Sequence, residues 1–300
     1  MDGNLEDSIL LKELKVYQWI FSIFGLNLPP FLIYRSQKDF KYYFVLLIYI
    51  VYCLILISTA MWAAHSHNDI VKKGTLRYNL DFMTALVSYI QNVAMAGLQL
   101  LFEFKCCCCY HKFCEILLSI RKLERNIFTM CPVILKKQPL RRCLMMTTAP
   151  GLFILVSFLI YFNVMLIGID LELKYKFLAA MFLMTIQIKF LEYGIYVQLI
   201  YEYLSMLLES LRCLKENVNN SAERKQSLDW SFCKYFKQNQ ACLQETWFLV
   251  YRLEQYFAWP VLLLFLYNGI IILCTVSWGY VRYTYETEFV YQISNLSYYN

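Results

Sequence analysis

Long uninterrupted apolar runs limit this chain more than any other feature. Residues 42–64 read YYFVLLIYIVYCLILISTAMWAA, with no charge, glycine or proline. A hydrocarbon core about 30 Å thick is crossed by roughly 20 helical residues, and backbone exposed to lipid must satisfy its own hydrogen bonds, which a helix does. Four further runs meet the same test, at 79–104, 149–169, 177–203 and 256–280. The chain is 59% hydrophobic and only 17% charged, where a soluble domain carries about a quarter charged residues. The expected fold is an all-α integral membrane protein, a multipass helical bundle with five visible spans.

A sixth apolar stretch, VYQWIFSIFGLNLPPFLIY at 16–34, contains Gly25, Pro29 and Pro30. Proline lacks the N–H that continues a helix and clashes with the preceding turn. The stretch is therefore expected to be an interfacial helix with an extended exit, not a span. It also lacks the compact apolar core and small-residue cleavage site of a signal peptide.

Lysine and arginine near span ends set orientation. The segments 1–41, 105–148 and 204–255 carry 21 of them, against 6 in 65–78, 170–176 and the tail after 280. That bias places the N-terminus in the cytoplasm. The expected organisation is a cytoplasmic N-terminal segment at 1–41 and a bundle at 42–280 with cytoplasmic extensions at 105–148 and 204–255. An extracellular tail at 281–300 completes it. SMLLESLRCLKENV continues the fourth span past the membrane, and LDWSFCKYFKQNQACLQETWFLVYRLEQYF has helical spacing into the fifth. Projecting helices of this kind imply an intracellular bundle.

FEFKCCCCYHKFC at 102–114 puts Cys106, Cys107, Cys108 and Cys109 at the cytoplasmic mouth of the second span. Disulfides are disfavoured in that reducing compartment. Four consecutive helical residues point in four directions, so they cannot converge on a tetrahedral zinc. Two readings stand: palmitoylation beside the membrane, or cysteine used as a small apolar residue.

Little in the sequence supports catalysis. His65, His67 and His111 divide between an outer loop and the cytoplasm, and no phosphate loop, GxSxG or HExxH occurs. No metal or cofactor is expected, and the chain does not read as an enzyme. Polar residues inside the spans carry more information. Lys189, Glu192, Tyr193 and Tyr196 share one helical face, with Lys189 about 18 Å from the outer end of the fourth span. Charges at such depth need a partner or water. They form either a structural ion pair or the floor of a ligand cavity, which Gln91, Asn92, Gln99, Asn163 and Asn268 would complete. Tyr49, Tyr52, Tyr89, Phe162 and Tyr267 are candidate apolar walls.

In order and spacing, three segments resemble the insect gustatory receptor family, whose members have seven spans and a cytoplasmic N-terminus. FSIFGLNLPPFLIY resembles the entry before the first span. YGIYVQLIYEYLSMLLESLRCLKENV resembles the fourth helix entering the cytoplasm, and LVYRLEQYFAWPVLLLFLYNGIIILCTVSWGYV the approach to the fifth. The resemblance implies a chemosensory subunit of a tetrameric ligand-gated cation channel in the plasma membrane of a sensory neuron. A small-molecule tastant would bind among the helices in the outer half of the membrane, amid membrane lipids. Subunits of the same or a related chain would meet through the cytoplasmic extensions, and no nucleic-acid partner is implied. The family's last-span motif, TY followed by five apolar residues and QF, is absent; RYTYETEFVYQ at 282–292 follows Thr-Tyr with charges. The chain therefore resembles a shortened member, expected not to conduct alone. The sibling odorant receptors and a non-signalling truncated scaffold are the alternatives. A G-protein-coupled receptor would need the opposite orientation. Asn295-Leu296-Ser297 is a glycosylation acceptor on the expected outer side, Asn219-Asn220-Ser221 one on the inner side.

Overall fold

The structure, a computed structural model, describes residues 9–33, 40–77, 82–130, 173–223 and 230–297. Among them are six helices and no strand: α1 (Ile9–Ile23), α2 (Pro30–Ile33), α3 (Phe40–Arg77), α4 (Phe82–Met130), α5 (Leu173–Glu223) and α6 (Trp230–Ser297). The third expected span, 149–169, lies outside the described residues, as do Asn163 and Phe162. An all-helical membrane bundle is what the apolar runs demanded. Two described stretches are long and apolar enough to cross a membrane, Phe40–Trp62 and part of Cys233–Cys274. A third pair, Val93–Cys106 and Cys108–Ile127, meets at a 62° bend.

Contacts give the directions of the helices. Arg252 donates to Ser119, and Asn126 donates to Glu245 at 2.7 Å, so α4 and α6 run antiparallel. The Lys189 ammonium lies 6.0 Å from the Phe102 ring and Tyr196 stacks edge-on to Phe113, so α4 and α5 run parallel.

Below the apolar section, α4, α5 and α6 continue together. Buried Phe113, Ile116, Leu117, Ile120, Leu123 and Ile127 recur at three- and four-residue steps on α4. Leu249, Leu253, Tyr256 and Phe257 do so on α6. This is the spacing that packs one helix seam into another. Outward-facing apolar side chains follow a different logic. Phe44, Leu47, Val51 and Leu54 on α3, and Phe265, Leu266, Ile272 and Leu273 on α6, are about half or more exposed, as a lipid-facing surface requires. Beyond residue 280 α6 stays helical to Ser297, because no glycine or proline follows Gly279 to stop it.

α1 ends in a turn whose geometry comes from Gly25. Its φ of 70° is in the left-handed region. The Leu26 amide bonds back to the Phe21 carbonyl at 2.9 Å, and the Gly25 amide to that of Ser22 at 3.1 Å. Those two bonds are the Schellman closure of a helix. α2 then starts with Pro30 in its first turn, where a missing N–H costs nothing. The sequence-based expectation of an extended exit is corrected here. Leu26, Asn27, Leu28, Pro29, Pro30, Leu32 and Ile33 are all buried, so the turn folds into the bundle. α1 keeps an outward apolar face of Val16, Trp19, Ile20 and Ile23.

Candidate functional site

The buried turn meets the charged face of α5. Asn27 donates its amide to one oxygen of Glu192, and Lys189 pairs with the other. Lys189 is 2% exposed and Glu192 0%. The Tyr256 hydroxyl of α6 donates to the Asn27 side-chain oxygen at 3.5 Å. The Tyr49 hydroxyl of α3 donates to the Asn27 carbonyl at 2.6 Å. One asparagine therefore links α3, α5 and α6. Tyr52 donates to the Ile23 carbonyl, serving a carbonyl that the end of α1 leaves without a helical partner. The Lys189 ammonium also lies over the rings of Tyr256 and Phe257, at 5.6 and 5.5 Å, a favourable placement for a cation on aromatic faces.

Lys105 of α4 joins this centre from another side. It donates to the Tyr256 backbone carbonyl and sits 4.4 Å from the centre of that tyrosine's ring. The carbonyl is available for a local reason. In a continuous helix it would accept from residue 260, but residue 260 is Pro260, which has no N–H. Nearby, Gln99 donates to Glu103 within α4. The Gln99 and Glu103 oxygens Oε1 and Oε2, both buried, have no hydrogen bond among the described residues.

The structure sorts the residues expected from sequence. Lys189, Glu192 and Tyr196 are buried in this centre and Tyr193 is half-buried against Phe257. Nothing is described of the Gln91 and Asn92 side chains. Asn268 is half-buried, two turns beyond Pro260. Its neighbour Tyr267 is buried, and the hydroxyl has no hydrogen bond among the described residues. Lys189 lies close to Lys105 and Tyr256. In the cysteine run, Cys106 is buried, Cys108 exposed and Cys109 half-buried. Among the described residues, no three His, Cys, Asp or Glu side chains gather as metal ligands.

Sequence reasoning missed Asn27, Lys105 and Tyr256. The pairing of Tyr256 with Pro260 four residues later was the one available signal, since it marks an orphan carbonyl on any helix.

A helical bundle with apolar spans, closed by a buried N-terminal turn, defines an integral membrane protein. The chain belongs to the 7tm chemosensory receptor family, which it matches over residues 14–298. It is similar to two Drosophila melanogaster proteins that carry the names gustatory receptor 98b and 98c. The first is 23% identical over 286 residues, covering 94% of this chain and 70% of that protein. The second is 25% identical over 293 residues, covering 94% and 69%. The resemblance to insect gustatory receptors read from the sequence is therefore borne out. No solved structure matches.

Proposed function

We propose that this chain is a gustatory receptor subunit, a receptor and not an enzyme, which contributes to a ligand-gated cation channel at the plasma membrane of a sensory neuron. The observation that carries the reading is the family match across nearly the whole chain. The tastant enters among the helices on the outer side of the polar centre, where the Tyr267 hydroxyl is buried with no hydrogen bond among the described residues, beside half-buried Asn268. A buried hydroxyl gains most from a ligand that supplies the missing bond. Lys189 and Glu192, with Tyr193 and Tyr196, form the floor beneath that ligand and respond to it rather than bonding it directly, because each charge already has a partner. The assembly partners are further copies of this chain or related subunits, joined through the extensions of α4, α5 and α6. Cys108, exposed, is an accessible candidate for acylation in the cysteine run.

The test is expression in cultured cells, alone and together with a full-length gustatory receptor. Surface delivery is verified by biotin labelling, and calcium entry is recorded against a tastant panel. A response that requires this chain, and whose half-maximal concentration rises about tenfold in Tyr267→Phe, corresponds to loss of one ligand hydrogen bond. Surface-delivered chain that changes no response in either setting would overturn the reading.

A further inference from the structure

We infer that Pro260 and Lys105 form a clamped hinge in α6, in which a lysine from α4 replaces the backbone bond that the proline removes. Pro260 lies inside a 68-residue helix. Interior proline deletes the bond to the carbonyl four residues back and normally bends or breaks the helix. Here α6 runs unbroken through residue 260. The carbonyl in question is that of Tyr256, and the Lys105 ammonium is bonded to it while stacking on the same residue's ring. Both Tyr256 and Pro260 are buried, so water does not offer the carbonyl an easy substitute. A charged donor suits the place, being roughly twice as strong as a neutral one and long enough to reach across from a neighbouring helix.

The clamp is not isolated. Tyr256 also donates to Asn27, which holds Glu192, which pairs with Lys189. Phe257, next in sequence, stacks on Tyr193 and Tyr196 of α5. Bending α6 at Pro260 would move Tyr256 and therefore disturb the turn after α1 and the α5 ion pair together. Release of Lys105 is then the event that frees the bend. The hinge stands or falls on these contacts, whether or not a tastant binds above it.

The test is a four-way comparison in lipid nanodiscs of the wild-type chain, Lys105→Met, Pro260→Ala and the double variant, using hydrogen–deuterium exchange of the 252–268 segment. Lys105→Met is expected to speed exchange in that segment by about tenfold, the size of one modest charge-assisted hydrogen bond. Lys105→Arg, which keeps a charged donor, should stay near wild type. In the Pro260→Ala background the alanine N–H supplies the Tyr256 carbonyl again. There Lys105→Met should alter exchange by less than about twofold, below the value of one such bond. If Lys105→Met fails to fold while the double variant folds, the rescue supports the clamp equally. An equal Lys105→Met effect in both backgrounds, or failure of both lysine-deleted proteins to fold, would overturn it, since the lysine would then act independently of the proline.

Discussion

Breaking the Lys189–Glu192 pair from either side should cost unequal amounts, and removing both partners should cost least. Both side chains are almost wholly buried, so water screens neither charge. Leaving one buried charge without its partner costs about 3–5 kcal/mol, whereas replacing a whole buried pair by apolar groups of similar volume is often neutral. The surroundings decide the order of the two single variants. Without Lys189, Glu192 keeps the Asn27 amide and the nearby charge of Lys105. Without Glu192, Lys189 keeps, among the described residues, the faces of Phe102, Tyr256 and Phe257, with Lys105 repelling it. Glu192→Leu is therefore expected near the top of the range, about 5 kcal/mol, and Lys189→Met near the bottom, about 3 kcal/mol. The double variant should lie within about 1 kcal/mol of wild type. At about 2–4 °C per kcal/mol for chains of a few hundred residues, the two singles should melt roughly 6–20 °C lower. The assay is thermal unfolding of all four proteins in nanodiscs, read by loss of the monodisperse peak of a fluorescent fusion. A double variant that melts lower than Glu192→Leu would refute the reasoning, because the two side chains would then be contributing separately rather than through each other's charge.

Two further outcomes follow from the same geometry. Gly25→Ala should destabilise the chain by about 1–2 kcal/mol, the cost of a left-handed conformation for a residue with a Cβ. The added carbon would also meet Leu56 Cδ1 at 3.1 Å and Glu103 Cγ at 3.4 Å; the same unfolding assay reads the loss, and an unchanged midpoint would contradict the assigned turn. Orientation is tested by glycosidase digestion of wild type, Asn219→Gln and Asn295→Gln. A band shift that disappears only in Asn295→Gln is expected for a cytoplasmic N-terminus, and a shift that depends on Asn219 would reverse the topology.

The long helices and their lipid-facing character were legible in the sequence, because they depend on local quantities. The run at 42–64 has to be a helix for its backbone to survive in hydrocarbon, whatever its neighbours are. Gly25, Pro29 and Pro30 likewise dictated a break, since φ and the missing N–H belong to those residues alone. The charged face of α5 could be read from i, i+3 and i+4 spacing, though not which of two roles it plays.

What only the tertiary structure decided is where the break goes and what the charges meet. Asn27 is one amide in an apolar turn, and nothing local says that it will reach Glu192, 165 residues away. Lys105 looks like an ordinary basic residue at a span end until α4 and α6 pack antiparallel and bring it to the carbonyl that Pro260 leaves open. A hydropathy run measures how far apolar residues extend along one helix, whereas the level of a charge in a bundle is set by the helices it packs against. Secondary structure in a membrane is imposed residue by residue by the solvent. The polar contacts that tie the helices together depend on long-range pairing, and only the folded chain reveals it.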